Sequence, residues 1–480
     1  MQKQSNHQKT ALLGDQSVKN NNRSTWHQPF SYWLKKNSYY HKQLLKFYTF
    51  VIPQGRRVLQ INGKNGYVLD AVRPSWGVGV DADEQYTHEA QATYPHLTFV
   101  TDLAQISAQQ FDYIILSSIT LETYDIQDLF VSLQPFCHPG TRLVIDSYSY
   151  FWEPLLRLTQ KLGLRRPTTF KNWIAHKDLI NFLHLADFEP VITGWHTLIP
   201  INIPLISWFF NSILALIPGI NRLCLHEWVV ARPLPVARNP RDYVVSVIIT
   251  CRNERGNVEA AITQTPIMGK HTEFIFAEGH SKDGTLDEIK RVIATYPEKD
   301  IKYIVQDGKG KGDAVRKGFA HARGDVLMIL DGDITTPPEE MPKFFDALMR
   351  GKGDFINGSR LVYGMENQAM RFLNLLANYG FSLIFTWLLN QKIKDTLCGT
   401  KVLFKKDYEA IVANRHYFGD FDPYGDFDLL FGAAKLNLKI VDMPVHYKSR
   451  AYGTSQISRF QGGVLLACMS LIGLKKFKMR

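Results

Sequence analysis

The sequence has few cysteines and no long uninterrupted apolar run, and both absences narrow the class of protein. Its 480 residues contain five cysteines that lie far apart, without a Cys-x-x-Cys pair. This excludes a disulfide scaffold and predicts reduced thiols in a cytoplasmic protein. No run of about 18 consecutive apolar residues occurs, so an ordinary membrane-spanning helix is not expected. Residues 1–25 lack the apolar region of a signal peptide, and we expect residues 1–37 to be a disordered polar tail.

The composition is that of a folded protein with surplus positive charge. Hydrophobic residues make up 45% of the chain and charged residues 21%, which excludes extensive disorder. The formal net charge is +11, which favours an anionic partner such as a lipid headgroup or a phosphorylated substrate. Nucleic acid is not expected as a partner, because basic and aromatic residues do not interleave and no known nucleic-acid module occurs.

Two proline-containing turns near residues 233–242 divide the sequence into halves. On each side of them, short apolar stretches alternate with amphipathic ones, as expected for the strands and helices of a parallel sheet. We therefore predict an α/β fold with two doubly wound domains. The predicted domains are residues 38–232 and 243–455, joined by a linker at 233–242 and followed by an apolar and basic segment at 456–480.

In the first half, a short apolar strand at 57–61 leads into a turn at 62–66, and the next strand ends at Asp81. Ligands bind at the carboxyl ends of the strands in such sheets. Over roughly residues 38–200 the arrangement resembles class I S-adenosylmethionine-dependent methyltransferases. The resemblance implies that the turn approaches the cofactor, that Asp81 holds its ribose and that Asp102 lies near its adenine.

The glycine-rich turn of that family is only partly present. Gln60 stands at the acidic position, Asn62 and Lys64 stand at the first two glycines, and Gly66 matches the third. Side chains at the first two positions oppose close approach of the backbone to a cofactor. An active methyltransferase and a decayed structural domain therefore both remain open. The candidate residues for binding S-adenosylmethionine are Gln60, Gly63, Gly66, Asp81 and Asp102.

In the second half, four predicted strands each end in a polar, glycine-containing loop. The strands are predicted at 244–250, 273–277, 301–305 and 324–330. Four such loops at one sheet edge form a ligand site. The last loop contains Asp331 and Asp333, and the one before it contains Lys309 and Lys311. Two carboxylates at i and i+2 beside basic residues suit Mg²⁺ or Mn²⁺ bridging a diphosphate, although an isolated Asp-x-Asp is more often a solvated turn.

Over roughly residues 243–450 these loops resemble those of family-2 inverting glycosyltransferases with the GT-A fold. Segment 278–285 resembles the family's D-D-G-S-x-D-G-T, segment 310–314 its G-K-G-x-A, and Asp331-Gly332-Asp333 its metal-binding D-x-D. The resemblance implies a nucleotide-diphosphate sugar as donor. The donor-binding candidates are Asn253, Glu254, Glu278, Ser281, Asp283, Lys309, Lys311 and Gly312.

Segments further along resemble those of polyprenyl-phosphate (dolichol-phosphate) mannosyl- and glucosyltransferases. Segment 395–401 resembles D-x-x-S-G-F-K/R, with Cys398 and Thr400 in place of Ser and Phe. Segment 426–430 resembles the one that carries the acid on the acceptor side, and segment 450–455 resembles R-x-x-G-x-S. The resemblance implies a polyprenyl phosphate or another membrane-associated acceptor. The acceptor-binding candidates are Arg371, Asp395, Lys401, Arg450, Ser455 and Arg459.

The chemistry that these resemblances imply is a metal-dependent sugar transfer with inversion. The catalytic candidates are Asp331, Asp333, Asp426 and Asp428, of which the first two are also the metal ligands. A hydroxyl acceptor needs a general base, for which Asp426 and Asp428 are available, whereas an acceptor phosphate needs positive charge. The order of the halves resembles bacterial two-domain methyltransferase/glycosyltransferase proteins. The alternatives are a bifunctional enzyme that modifies one glycan or lipid, and a scaffold built from two decayed enzyme folds.

The sequence contains three apolar stretches that are candidates for contact with a membrane surface, at 198–220, 372–389 and 460–474. The third is followed by a basic end at 475–480, a combination that fits an anionic membrane surface. We therefore expect residues 460–480 to contact lipid and the protein to lie peripherally on the inner face of the cell membrane. The alternative is that all three stretches pack into the protein.

Overall fold

The computed structural model describes residues 28–107, 109–118, 123–166, 168, 172–363, 372–419, 422, 425–453 and 459–479. The chain forms two compact units that divide between Leu234 and Pro235, inside the segment predicted as a linker. Within the ranges just given, no helix has both the length and the apolar character needed to cross a membrane.

The N-terminal unit is an α/β fold around a seven-stranded sheet in the order β3-β2-β1-β4-β5-β7-β6, in which β7 runs antiparallel to both neighbours. The first five positions follow the order of dinucleotide-binding sheets. The strands are β1 Arg57–Ile61, β2 Trp76–Val80, β3 Thr98–Val100, β4 Phe111–Ser117, β5 Cys137–Tyr148, β6 Phe188–His196 and β7 His226–Pro233. The helices are α1 Phe30–Lys36, α2 Ser38–Val51, α3 Tyr67–Ala71, α4 Glu84–Thr93, α5 Ile126–Leu133, α6 Glu153–Lys161, α7 His176–Leu185 and α8 Ile206–Ser212.

Helix α1 lies inside the stretch predicted as a disordered tail, so the structure corrects the end of that tail. Phe30 and Trp33, one turn apart, are both buried. Burial of two aromatic side chains on one face stabilises a short helix that a polar composition alone does not predict. Residues 1–27 of the predicted tail lie outside the described residues.

The C-terminal unit is a second α/β fold with a sheet in the order β10-β9-β8-β11-β13-β12-β14, where β13 is antiparallel to β11 and β12. The strands are β8 Val244–Cys251, β9 His271–Glu278, β10 Asp300–Val305, β11 Val326–Asp331, β12 Phe355–Ser359, β13 Lys401–Phe404 and β14 Ile440–Pro444. The helices are α9 Val258–Thr263, α10 Thr285–Thr295, α11 Lys311–His321, α12 Met341–Met349, α13 Phe372–Leu389, α14 Lys405–Ala413, α15 Asp426–Lys435 and α16 Arg459–Gly473, which a π-helical turn at Leu474–Lys478 follows.

Four parallel strands of this sheet end level at one edge. Asp331 pairs with Thr250 of β8, and the next residue of β8, Cys251, pairs with Glu278 of β9. Glu278 in turn pairs with Val305, the last residue of β10. The four polar loops that follow these strands therefore start side by side, which brings the predicted site residues together. The predicted α/β class with two doubly wound domains is confirmed for both units.

Candidate active site

The paired aspartates of the C-terminal unit are each held by one basic side chain. Asp331 ends β11, and its Oδ1 lies 2.6 Å from Nζ of Lys311, the first residue of α11. Asp333 lies in the following turn, where its Oδ2 is 2.6 Å from a guanidinium nitrogen of Arg450. The second oxygen of Asp333 accepts hydrogen bonds from the backbone N–H and hydroxyl of Thr335. The sheet edge thus carries two carboxylates and two cations in direct contact.

These contacts change how the acidic groups ionise. Burial raises the pKa of the Asp331 carboxyl, but the Lys311 ammonium outweighs burial and leaves that pKa below its ordinary value. Burial, followed by the nearby Asp333, raises the pKa of Glu254 to about 7, against the opposing effect of Arg450. Arg450 lies 3.2 Å from Glu254 and so bridges the loop after β8 and the turn after β11.

The segment 395–401 packs directly on the Asp331–Lys311 pair. A Cβ at Gly399 would strike Asp331 Oδ2 and Lys311 Nζ, so a larger residue there would displace this pair. The segment is anchored by Asp395, which is fully buried and accepts two hydrogen bonds from the guanidinium of Arg360, at 2.7 and 2.9 Å. Burial opposes this pairing, but Arg360 still lowers the pKa of Asp395. Asp395 therefore anchors the segment from inside the protein, and its role in acceptor binding stays a prediction.

Lys401, another predicted acceptor-binding residue, is also buried. Its Nζ donates to the carbonyl of Cys398 at 2.6 Å and lies 3.3 Å from Oδ1 of Asp426. Both contacts are inside the protein because Lys401 has no exposed surface. Lys401 positions Asp426 and the segment that covers Asp331.

The structure separates the two acids of segment 426–430. Asp426 and Asp428 are two residues apart on α15, so their side chains point to nearly opposite faces of the helix. Asp426 lies 3.3 Å from Lys401, which belongs to the segment that packs on Asp331 and Lys311. Against burial, the charges of Asp331 and then Asp426 raise the pKa of Lys311. Asp428 instead pairs with Arg415 at 2.8 Å. The two acids thus face different parts of the unit.

The loops predicted to hold the donor are braced against one another. The N–H of Asn253 donates to Oγ of Ser281 at 2.9 Å, and Oδ1 of Asn253 accepts from the N–H of Lys282 at 2.8 Å. Asn253 has a positive φ of 56°, which the bonded asparagine tolerates. Asp283 accepts from both the N–H and the hydroxyl of Thr285 at the start of α10. The first two loops therefore form one rigid wall of the site.

Glu278 holds the turn of the second loop. Its two carboxylate oxygens accept the backbone N–H groups of Ser281 and His280, at 2.6 and 3.1 Å, and it is almost fully buried. These bonds fix the loop that carries the donor-binding candidates, and the role of Glu278 in donor binding stays a prediction. Lys309 is exposed in the third loop, whereas Gly312 packs on the backbone of Asp422 and Gly425, where a Cβ would clash.

Three predicted acceptor residues have no described side-chain position. Arg371 and Ser455 lie outside the described residues, and Arg459 begins α16 without a described side chain. Among the acceptor candidates whose side chains the structure describes, Arg450 is the one that contacts the paired aspartates directly.

The donor atoms at the paired aspartates fit a hard divalent cation in kind. Among the residues that the structure describes, no group of three or more His, Cys, Asp or Glu side chains forms a closed metal site. Two carboxylates alone leave coordination positions for phosphate oxygens and water, the ligands that Mg²⁺ usually retains. Asp331 and Asp333 would hold such an ion, and Oδ2 of Asp333 is paired with Arg450 in this structure.

The corresponding edge of the N-terminal sheet is occupied by the protein's own groups. Asn62 and Lys64 both have positive φ, 57° and 48°, so the turn keeps a glycine-like backbone although it has lost two glycines. Nζ of Lys64 donates to Asn62 at 2.9 Å and lies 5.9 Å from the centroid of the Tyr86 ring. A cationic side chain therefore lies across the turn, between the ends of β1 and β2.

The predicted cofactor acid is turned inward as well. Asp81 accepts the backbone N–H of Lys64 at 2.8 Å and that of Asp83 at 3.1 Å. Gln60 is buried and supplies no charge, and its Oε1 has no hydrogen-bond partner. A Cβ on Gly66 would strike the ring of Phe99, so this glycine serves aromatic packing.

The other two candidates do not change this picture. A Cβ on Gly63 would meet only ordinary contacts, and Asp102 caps a short 3₁₀ turn through the N–H of Ala104. A neutral Gln60 and a cation over the turn do not suit a cationic sulfonium cofactor. The residues present therefore do not fit S-adenosylmethionine, and we derive no methyl transfer through them.

A buried polar cluster near this edge has no counterpart in the sequence predictions. Asp146 on β5 is fully buried, accepts the hydroxyl of Tyr48 and lies 3.0 Å from Nδ1 of His226. Burial, with the Asp146 charge next, holds the pKa of Tyr48 well above its ordinary value. Next to His226 on β7, Glu227 has its pKa raised to about 7 by burial. The residues of this buried cluster come from α2, β5 and β7, so no local sequence pattern predicts the cluster.

Residues 246–412 match the family model described as Glycosyl transferase family 2. A dolichol-phosphate mannosyltransferase of Pyrococcus furiosus is 31% identical over 218 residues, which cover 44% of this chain and 59% of that protein. The matched part of the chain therefore spans less than two thirds of this relative. The match of the C-terminal unit to the family-2 glycosyltransferase model agrees with the sequence resemblance.

Solved structures resemble each half at low identity. A SAM-dependent methyltransferase of Thermotoga maritima, described as a possible histamine N-methyltransferase, matches 42% of this chain and 93% of its own, with 12% identity and a TM-score of 0.34. The glucosyl-3-phosphoglycerate synthase of Mycobacterium tuberculosis, solved with Mn²⁺, UDP and glucosyl-3-phosphoglycerate, matches 50% of this chain and 81% of its own, with 17% identity and a TM-score of 0.36.

Proposed function

We propose that the C-terminal unit transfers a sugar from a nucleotide-diphosphate donor to a polyprenyl phosphate or another membrane-associated acceptor, with inversion and with a divalent cation. The observation that carries this proposal is the convergence of four polar loops on Asp331 and Asp333, with Lys311 and Arg450 in contact with them. The family-2 match over residues 246–412 and the lipid-phosphate acceptor in the name of the Pyrococcus relative support the same reaction class.

The residues of the edge divide the work of binding and leaving-group stabilisation. A bound Mg²⁺ or Mn²⁺ supplies positive charge against the diphosphate as the sugar leaves. Lys311 and Arg450 add fixed positive charge on the same side, and such preorganised charge is stronger in a partly buried site than in water. The braced loops that carry Asn253 and Asp283 form the wall on which the nucleoside rests.

The acceptor side depends on the nature of the attacking oxygen. An acceptor hydroxyl must lose a proton, and Asp426 is the carboxylate that faces the paired aspartates. An acceptor phosphate is already ionised and uses the positive charge of Lys311 and Arg450 instead. Asp428 is engaged with Arg415 and takes no part in either route.

The unit also offers an apolar surface suited to a membrane-associated acceptor. On α13, Asn378 and Ser382 are buried, whereas Leu376 is exposed and Leu383 is 72% exposed. On α16, Val464 and Leu471 are exposed, and the helix continues into a turn that contains Lys475, Lys476 and Lys478. Exposed leucines beside a basic end favour contact with an anionic lipid surface, which would place the protein peripherally on the inner face of the cell membrane.

The test is calorimetric titration of the full chain with UDP- and GDP-sugars, with and without Mn²⁺, followed by product analysis. We expect saturable, cation-dependent binding of one donor and transfer to a short-chain polyprenyl phosphate with inverted anomeric configuration by NMR. Retained configuration would contradict inversion. If no UDP- or GDP-sugar binds with Mn²⁺, the transferase proposal fails and the scaffold alternative gains support.

A further inference from the structure

The N-terminal unit contains a segment, residues 197–221, that exposes large apolar side chains and buries polar ones. Residues 197–221 include no Asp, Glu, Lys, Arg or His. The six residues 201–206 are all exposed, and Leu205 has 82% of its surface accessible. Trp208, on α8, is 57% exposed. Monomeric proteins in water seldom expose several large apolar side chains side by side.

Polar side chains of the same segment point inward and hold the loop in this shape. Asn211 accepts the N–H groups of Leu198 and Ile199, at 2.7 and 2.9 Å, and donates to the Ile199 carbonyl at 2.8 Å. The buried hydroxyl of Ser207 donates to the carbonyl of Ile201 at 2.6 Å and accepts the N–H of Ile203 at 2.9 Å. Hydrogen bonds from these two polar side chains therefore hold the backbone of the loop, while its apolar side chains are exposed.

Neighbouring elements extend this apolar surface. Trp152, next to the start of α6, donates its indole N–H to the carbonyl of Leu223 at 2.8 Å. This bond joins α6 to the residues that directly follow segment 197–221. From α6 onward the exposed apolar residues include Leu155, Leu158, Leu162 and Leu164. Asn211 also donates to the hydroxyl of Tyr39 at 3.1 Å, which joins α2 to the loop.

The charges beside this surface are of one sign. Residues 30–52, which form α1 and α2, contain four lysines and no acid, and all four lysines are exposed. Residues 154–166 contain four basic residues and no acid, and Arg222 is the single charged residue among residues 197–225. The acid just before residue 154, Glu153, is paired with Arg157 at 2.7 Å. The exposed lysines in this set are Lys35, Lys36, Lys42, Lys46 and Lys161.

We infer that α8, its preceding loop and α6 form a bilayer-binding face of the N-terminal unit, whose occupant is an anionic lipid surface. The uncharged loop supplies side chains for the acyl boundary, and Trp208 is of the type that favours the interface. The surrounding lysines supply attraction to anionic headgroups, which a protein partner without acidic character would not match. This face belongs to the N-terminal unit alone and does not depend on the sugar transfer proposed above.

The experiment is sedimentation of the full chain with vesicles of phosphatidylcholine alone and with added phosphatidylglycerol. The variant is Leu205→Asp with Trp208→Asp, and the matched control is Val131→Asp, which changes an exposed apolar residue on α5. Val464→Asp with Leu471→Asp serves as the background in which α16 no longer binds lipid. In that background we expect the Leu205/Trp208 changes to lower vesicle partitioning by about a hundredfold, because two large side chains no longer leave water. Hydrogen exchange across 199–212 should slow only when anionic vesicles are present.

Three results would overturn the inference. The first is vesicle binding by the Leu205/Trp208 variant equal to that of the Val131 control. The second is a lipid-free dimer, seen by sedimentation velocity, that the same variant dissociates, because the face would then join two copies. The third is hydrogen exchange across 199–212 that anionic vesicles do not slow, because the face would then make no contact with lipid. Binding and hydrolysis of a soluble nucleotide-sugar remain as in the parent protein in every case, so failure here is distinguishable from failure of the proposed transferase.

Discussion

The two units place comparable loops at the carboxyl ends of comparable strands, yet the loops hold opposite chemistry. In the C-terminal unit, Asp331 and Asp333 pair with Lys311 and Arg450, cations that a charged ligand can engage or displace. In the N-terminal unit, Asp81 is bound by the protein's own backbone N–H groups. The two sheets share the order of their first four strands, yet the edge of one presents paired acids and cations and the edge of the other forms a closed turn.

The difference teaches that a sheet edge creates the opportunity for a site but not the site itself. What decides is whether the charges at the edge remain available for exchange with a ligand. The Lys64 side chain bonds to Asn62 within the N-terminal turn, whereas Gly399 lets the backbone of segment 395–401 pack closely on Asp331 and Lys311. The predictions below test that contrast.

The largest expected effect is at Asp333, on the active side of the comparison. Asp333→Asn removes one of two carboxylate ligands and leaves Arg450 without its partner, so we expect donor turnover with Mn²⁺ to fall by about 10³-fold. Initial rates of nucleoside diphosphate release measure it. Asp287→Asn, on an exposed position of α10, is the matched control and should leave the rate unchanged. Equal rates in both variants would make the two sheet edges equally inert.

The next effect separates the two acids of α15. With a hydroxyl acceptor we expect Asp426→Asn to lower turnover by about 10²-fold and Asp428→Asn to leave it nearly unchanged, because only Asp426 faces the paired aspartates. With a polyprenyl phosphate acceptor both variants should retain turnover, since no proton has to be removed. Steady-state rates with each acceptor measure the difference. A larger loss for Asp428→Asn would contradict the orientation of α15.

The sequence predicted which loops meet at the edge of the C-terminal sheet, but it did not predict which side chains beneath those loops are buried. Apolar runs followed by glycine-containing loops mark β8 to β11, so Asp331, Asp333 and Lys311 were found from local pattern. The pairing of Asp395 with Arg360 joins residues 35 positions apart, and that of Lys401 with Asp426 depends on where α15 begins. No local signal reports such burial, which is why both residues were predicted as acceptor ligands.

In the N-terminal unit, the local sequence pattern again predicted the strands but not the hydrogen-bond partners of individual side chains. The turn after β1 was predicted with its two substituted glycines, but the direction of the Lys64 side chain was not. The cluster around Asp146 and His226 joins strands 80 residues apart in the chain, and one of its members comes from α2. A sequence-only argument has no means of counting these long-range hydrogen bonds.

A moderate effect on stability tests whether that cluster is structural. Burial raises the pKa of Glu227 from its ordinary 4.5 to about 7, so the folded protein holds a proton that the unfolded chain has lost between these pH values. The contribution of Glu227 is therefore complete below about pH 4.5 and is lost as the pH rises through about 7. Glu227→Gln should remove this slope and make the β5 and β7 amides more protected at pH 8, by about 2 kcal/mol.

Hydrogen exchange between pH 5 and pH 8 measures the Glu227 effect within the N-terminal unit. Glu89→Gln on α4 is the control and should keep the slope of the parent protein. If Glu227→Gln weakens protection at pH 8, the carboxylate is required there in its charged form, and the cluster would be a site for chemistry rather than a buried support.

The smallest expected signal is the binding of S-adenosylmethionine, and it is the one that most directly tests the contrast between the units. We expect no saturable heat when the full chain is titrated with this cofactor, because Lys64 lies across the turn and Gln60 offers no carboxylate. The triple change Gln60→Glu, Asn62→Gly and Lys64→Gly restores the charge and the open turn at positions whose backbone already suits glycine. Weak binding should then appear. A parent protein that binds with a Kd below about 100 μM would show that Lys64 moves aside, and the closed N-terminal edge would become a second active site.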